Sequence, residues 1–275
     1  LKIQIKNNHL IVFESVLFKT TTSLLIGSDA LILVDPNWLP SEIEFISTYI
    51  NDTKGNKKLY LYFTHSDYDH IIGYGAFKAY ETIASHNFVS NSKKQDILSQ
   101  INAFDDSYYI TRPYAIEYPD IKHVISEDGQ TLMLGNQKFI FWLAVGHNPD
   151  GLLLLDPTHN VLVVGDYMSN VEFPYIYASI KEYKSTLMKI ENIVSKFNVK
   201  YLISGHGDHT SSNVEIEKRL SDSRSYIEQL EVSVSNNVPF DFDNLMKNYN
   251  FPIVMKQFHE GNIKLAKKEL ETKDQ

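Results

Sequence analysis

This sequence predicts a layered α/β fold, with sheet in the middle and helices outside, and three observations predict it. Short apolar runs bounded by Gly, Asp and Pro recur along the chain and read as strands. Segments with apolar residues at helical spacing fall between them. The two types alternate in two successive halves, the pattern of helices laid on sheet. At 275 residues, 43% apolar, the chain has the material for one full core.

The elements follow in order. Residues 10–18 (LIVFESVLF), 22–27 (TSLLIG) and 30–35 (ALILVD) are strands, punctuated by Gly27, Asp29 and Pro36. Ile43, Ile46 and Ile50 are spaced for a helix over residues 40–50, with Ser41 as its cap. The run KLYLYF, residues 58–63, leads into Thr64 and His65, and after a polar loop a helix is expected over residues 71–80. Residues 91–123 are polar and tyrosine-rich, with only a short helical stretch, and read as an insertion over the site. Strands resume in residues 131–145, 151–156 and 160–166, followed by a helix over 180–197 and the strand KYLISG. From Asn213 onward helical patterns are broken at Pro239 and Pro252. The expected organisation is one domain over residues 1–210, with 211–275 as a helical cap docked on it.

Composition excludes several functions. There is no cysteine, so disulfides, thiolate metal sites and thiol nucleophiles are out, and any metal is held by His and carboxylate. A formal net charge of −8 without a Lys/Arg-rich block argues against nucleic acid as partner. No run approaches the ~20 apolar residues of a membrane span, and the first residues lack a signal-peptide core. The expectation is a cytoplasmic protein acting on a small-molecule substrate, with a homodimer open.

Four apolar runs end directly in a metal-ligand residue type: LYLYFT in His65, FIFWLAVG in His147, VLVVG in Asp166 and YLISG in His206. Buried strands end at a shared sheet edge, so residues just past them can converge from distant parts of the chain. Glycine precedes three of the four, at Gly146, Gly165 and Gly205, where close approach or unusual φ is useful. The loop His65-Ser66-Asp67-Tyr68-Asp69-His70 adds further candidates. In an extended segment His65, Asp67 and Asp69 share one side, while a turn at Asp69 aims His70 at a second point. One loop can thus serve two metals about 3.5 to 4 Å apart. Any one of these features alone is ordinary strand-end or turn chemistry; it is their coincidence that signals a metal site.

His9, His86, His123, His159 and His259 lack partner ligands at useful spacing and read as structural. Asp35, at the end of ALILVD, and Asp208 with His209 are candidates to orient a ligand imidazole. Tyr68 and Tyr167 flank proposed ligands and are candidates to donate to a substrate oxygen. Tyr108, Tyr109, Arg112 and Tyr114 are candidates to line a pocket for a substrate with apolar and anionic parts, and the aromatics are equally candidates to anchor the insertion or form a dimer contact.

These residues resemble the metallo-β-lactamase superfamily, whose loop is H-x-H-x-D-H, followed by a separate His, a bridging Asp and a last His. The resemblance runs from about Ile11 to Asp208 and implies an αββα sandwich, two facing sheets with a helix layer outside each. It implies that His65 and His147 serve a first metal, Asp69, His70 and His206 a second, and Asp166 lies between them. Asp67 departs from the pattern, standing where most members have His. A carboxylate is a harder, anionic ligand that lowers the positive charge of the site, which shifts preference from the family's usual zinc toward iron or manganese. The flavodiiron proteins of the same superfamily carry a Glu at this place and use iron.

The activity implied is metal-dependent hydrolysis of an ester, thioester, lactone or amide, in which a dinuclear site activates a bridging water. Asp69, near the nucleophile in the family geometry, is the catalytic candidate for holding or shuttling the proton. The alternatives are a di-iron oxidoreductase similar to flavodiiron proteins, acting on O2 or NO, a mononuclear iron dioxygenase, and a non-catalytic binding module. Against the redox readings, no G-x-G-x-x-G fingerprint or flavin domain is visible and both ligand sets are complete.

Overall fold

Leu152, Leu153, Leu154 and Leu155 are all buried, yet they belong to two different cores: Leu152 and Leu154 to one, Leu153 and Leu155 to the other. Side chains alternate across a strand, so a strand that is apolar at every position has to be covered on both faces. The run Ala30–Val34 behaves alike, with Leu31 and Leu33 facing one core and Ala30, Ile32 and Val34 the other. The core between these two strands is shared. The outcome is four layers, helix, sheet, sheet and helix, in the computed structural model, which describes residues 1–273.

The first sheet has seven strands in sequential order, β1 (Lys2–Lys6), β2 (Leu10–Glu14), β3 (Thr21–Ile26), β4 (Ala30–Val34), β5 (Lys58–Tyr62), β6 (Glu81–Ser85) and β7 (His123–Ile125). β1 to β4 form an antiparallel meander and β4 to β7 pair in parallel. Parallel pairs need crossovers. These are α1 (Pro40–Lys54), then α2 (Tyr68–Ile71) with a 3-10 turn (Tyr74–Phe77), then α3 (His86–Ser90) and α4 (Lys94–Ser107).

The second sheet runs β12-β11-β10-β9-β8, made of β8 (Gln130–Leu134), β9 (Gln137–Leu143), β10 (Leu152–Asp156), β11 (Val161–Val163) and β12 (Tyr201–Ile203). It is antiparallel except for the β11–β12 pair, whose crossover contains α5 (Ile180–Phe197). α6 (Asn213–Ser235), α7 (Phe242–Leu245) and α8 (Pro252–Lys273) complete the chain. Ile216, Leu220, Tyr226 and Leu230 of α6 and Met255 of α8 join the same buried cluster as Leu153 and Leu155. Among the described residues no helix is long and apolar enough to cross a membrane.

Several local expectations are corrected. The strand expected over residues 10–18 ends at Glu14, where the chain turns and Thr20 N donates to Leu17 O at 3.1 Å. Helix α1 starts at Pro40, so Ser41 is inside it rather than its cap. Glu42 reaches back to accept from Leu39 N at 3.2 Å, and Gly55 at φ 53° ends the helix after Lys54. The single helix expected over residues 71–80 is interrupted where Gly73 N donates out of the helix to Pro36 O at 2.9 Å, and its glycines sit in close contacts. A Cβ at Gly73 would lie 2.3 Å from Pro36 O, and one at Gly75 would lie 2.2 Å from Ala115 O.

The 91–123 stretch is more regular than its composition suggested. Its helix α4 has 14 residues and buries Ile97 and Ile101 against the first sheet's outer core. Arg112 is locked in a two-pronged pair with Asp105, at 2.7 and 2.8 Å, and donates to Trp38 O at 2.7 Å and Tyr114 Oη at 3.1 Å. It fastens the insertion to the domain. Tyr108 and Tyr109 are exposed. Of these four residues none lines either cavity at the site described next.

Candidate metal centre

The four strand ends meet at one edge of the sandwich. His65 follows β5 of the first sheet, while His147, Asp166 and His206 follow β9, β11 and β12 of the second. Two of the glycines before them, Gly146 and Gly205, are spatial necessities. A Cβ on Gly205 would lie 2.1 Å from Asp166 Oδ1 and 2.8 Å from His70 Cε1, and one on Gly146, at φ 138°, would lie 2.3 Å from the Tyr183 backbone.

Each of the four imidazoles is fixed through Nδ1 and presents Nε2 to a common centre. His65 Nδ1 lies 2.9 Å from Thr64 Oγ1, whose own proton goes to Asp35 Oδ2 at 2.6 Å. His70 Nδ1 lies 2.9 Å from Asp35 Oδ2. His147 Nδ1 donates to Tyr175 O at 2.6 Å, and His206 Nδ1 to Phe18 O at 2.9 Å, with Thr20 Oγ1 at 3.3 Å. A neutral imidazole that donates from Nδ1 leaves a bare lone pair on Nε2, the tautomer a metal requires.

The carboxylates fill the space between the Nε2 atoms. Asp166 Oδ1 is 3.2 Å from His70 Nε2, and its Oδ2 is 3.3 Å from His147, 3.4 Å from His206 and 3.6 Å from His65. Asp67 Oδ2 is 3.2 Å from His147 Nε2 and 3.5 Å from His65 Nε2. Asp69 Oδ2 is 3.3 Å from His206 and 3.5 Å from His70. The ligand atoms fall into two groups, His65, Asp67, His147 and Asp166, and Asp69, His70 and His206, each with its atoms within 4.8 Å of one another.

These residues fit metal ions. His65 Nε2, His70 Nε2 and Asp166 Oδ1 are buried without a hydrogen-bond partner, a costly arrangement unless something else satisfies them. The donor separations match the edge of a tetrahedron whose corners lie about 2.1 Å from its centre, roughly 3.4 Å. Imidazole nitrogen and carboxylate oxygen suit Zn, Fe or Mn.

Without a metal ion, the same groups pair as opposite charges. Burial opposes ionisation of Asp67 and Asp166, but the imidazoles, led by His65 for the first and His206 for the second, outweigh it and hold both carboxyls well below their usual range. Burial disfavours the charged form of His147, yet its hydrogen bond to Asp67 and the nearby Asp166 lift it to about 9. Burial opposes charge on His206 as well, but Glu172 and Asp166 override it and raise this imidazole well above its usual range.

The surroundings sort the remaining candidates. Asp35 supports both His70 and, through Thr64, His65, as expected. Asp208 and His209 touch no proposed ligand: His209 Nδ1 is 3.1 Å from Gln4 Oε1, and Asp208 Oδ2 accepts from Asn170 at 3.0 Å. Tyr167 is buried, its hydroxyl between His147 N and Ala144 O, both at 3.1 Å, so it braces the His147 loop rather than facing substrate. Tyr68 lines the cavity. Sequence reasoning missed Tyr177, whose hydroxyl donates to Asp67 Oδ1, and with it the Tyr175 carbonyl, Thr20, Thr64 and Glu172. The two tyrosines and Glu172 lie in an irregular segment with no periodicity, and only Thr64, next to His65, carried a positional signal.

A family model for the metallo-beta-lactamase superfamily matches residues 17–206. Among solved structures, a metallo-beta-lactamase family protein from Thermus thermophilus superposes with a TM-score of 0.65 at 13% identity, covering 96% of this chain and 94% of its own. A variant of the sec-alkyl sulfatase PisA1 gives a TM-score of 0.67 at 13% identity over 97% of this chain, which spans 49% of that longer one. A metallo-beta-lactamase from Pontibacter korlensis gives 0.58 at 14% identity, covering 82% of this chain and 98% of that one. No curated protein matches. The αββα fold is therefore shared with these structures, and the chain belongs to the metallo-beta-lactamase superfamily.

Proposed function

We propose that the chain is a metal-dependent hydrolase of an ester, thioester, lactone or amide. His65, Asp67, His147 and Asp166 hold one divalent ion, Asp69, His70 and His206 a second, and Asp166 lies between the groups. The observation that carries this is the uniform set of imidazoles, each tied at Nδ1 and each with Nε2 turned toward the carboxylates. Bound there, such a pair supplies Lewis acidity and acidifies a shared water. Zinc is the family's usual metal, and the added carboxylate of Asp67 moves the preference toward iron or manganese.

The chain's own residues orient and relay. Tyr177 and the Asn148 amide, 3.5 Å from Asp67 Oδ1, hold Asp67 in place. Burial opposes charge on Asp69, but His70 and His206 stabilise its carboxylate, which keeps it in the ionised form that a proton acceptor needs. Asp150 ties the two ligand loops, accepting from Ser66 N at 3.0 Å and Ser66 Oγ at 2.5 Å while its own carbonyl accepts from Ser85 at 2.6 Å.

Asp69→Ala is expected to abolish turnover of an ester and lactone panel while leaving the circular dichroism spectrum and melting temperature near wild type. Full activity in that variant contradicts the proposal. A second reading, a di-iron oxidoreductase acting on O2 or NO, rests on Asp67; iron-loaded protein that consumes oxygen with a reductant but cleaves no ester supports it instead.

A further inference from the structure

Two cavities open onto the candidate centre, and their walls differ in chemistry. The first, about 340 Å³, reaches Asp67, Asp69, His147, Asp166 and His206 and is otherwise walled mainly by apolar groups, among them Phe18, Met168, Phe173, Val254 and Phe258. The second, about 750 Å³, is lined mostly by polar residues, among them Asn87, Ser90, Ser92, Gln100 and Asn148. The cavities share Asp67, Tyr68 and Tyr175. A molecule bound at the centre therefore has one flank in an apolar pocket and the other in a polar trough.

Charge narrows the choice further. Among the described residues no Lys or Arg lines the first cavity, and Glu172 forms part of its wall. Away from the candidate metal centre, a substrate carboxylate against the wall of Phe173, Val254 and Phe258 would be desolvated with no Lys or Arg as counter-ion. The second cavity has one cation among the described residues, the exposed Lys93, against three acidic residues, Asp67, Asp96 and Asp150, so it is not an anion site and offers hydrogen bonding instead. Amide and hydroxyl walls pair with donors and acceptors spread over a hydroxyl-rich group, and Tyr175 and Tyr177 add aromatic surface.

Resting on the hydrolase reading, we propose that the substrate is an ester of an uncharged apolar acid with a hydroxyl-rich, sugar-like alcohol. The acyl chain lies in the first cavity and the alcohol in the second. In the reaction, water oxygen bonds to the acyl carbon, the acyl carbon–oxygen bond breaks with its electron pair on the alcohol oxygen, and a proton from the water ends on that oxygen. This excludes the anionic part anticipated from Arg112, which is fully engaged elsewhere.

The test is binding of hexyl β-glucoside, which has both parts but no carbonyl to cleave, to metal-loaded protein by calorimetry. Val254→Glu, which places a carboxylate on the apolar wall of the first cavity, is expected to weaken binding about tenfold or more. Gln100→Ala is expected to weaken it about threefold. In parallel, glucose hexanoate is expected to be cleaved about a hundredfold faster than the glucose half-ester of adipic acid, which differs by a terminal carboxylate. Absent binding, or equal cleavage of the two esters, overturns the substrate class and leaves the hydrolase reading standing. Binding that responds to both variants without cleavage of any ester upholds the two-part site and overturns the hydrolase.

Discussion

The Tyr175 carbonyl accepts from His147 Nδ1 at 2.6 Å, and the backbone carrying that carbonyl is pinned from the C-terminal helix. Asn262, fully buried, donates to Pro174 O at 2.6 Å and accepts from Ile176 N at 2.8 Å. A residue more than a hundred positions from His147 thus sets the direction of its imidazole. Asn262→Ala strands two buried backbone groups and is expected to cost about 1–3 kcal/mol of stability. It should also weaken metal binding about tenfold or more, as loss of a ligand's support does. Thermal melts and metal titration on the same variant check both parts, and unchanged affinity in a folded variant would separate the cap from the site.

Tyr177→Phe removes only the hydroxyl that holds Asp67. Because Tyr177 is 40% exposed, the fold should be indifferent. Metal affinity is expected to fall about tenfold, read by competition with a chromogenic chelator. An effect on the melting temperature without one on affinity contradicts the assigned role.

Gly205→Ala forces a methyl to within 2.1 Å of Asp166 Oδ1 unless the site shifts. The expected result is about 1–3 kcal/mol of destabilisation from overpacking and loss of metal uptake at both groups, since Asp166 lies between them. Near-normal metal content in this variant contradicts the place given to Asp166.

The pH dependence of chelator-treated protein follows from His147, where burial pulls the imidazole down but the hydrogen bond to Asp67 and the charge of Asp166 raise it to about 9. A raised folded pKa adds stability that is fully present below the unfolded value near 6.5 and is lost as pH climbs through about 9. The melting temperature should therefore fall between those limits, and the fall should be smaller in Asp67→Asn. Since a metal needs the neutral imidazole, metal loading in this window should release protons, which calorimetry in buffers of different ionisation enthalpy detects.

How much of this was legible in the sequence differs by element. The layered α/β fold and the strands leading into His65, His147, Asp166 and His206 could be read from their apolar runs, while the αββα arrangement was implied by the family resemblance. β6 and β7 were not anticipated: ETIAS and HVI are short and carry polar or charged residues. β1 escaped because an edge strand such as KIQIK has little buried surface to demand apolar residues. Asp35 could be picked out at a strand end, whereas Glu172, Tyr175 and Tyr177 sit in irregular chain positioned by tertiary contacts from Asn262, which leave no periodic trace. Arg112 was misjudged because composition does not reveal that Asp105 satisfies its charge.

Two ions held by seven residues are central to the proposed chemistry, so the most direct test is elemental analysis of protein purified without added metal or chelator, repeated after titration. The expected content is about two divalent ions per chain, with less than half of that in Asp166→Ala. No bound metal in the wild type, and none taken up on titration, would contradict the two-metal centre.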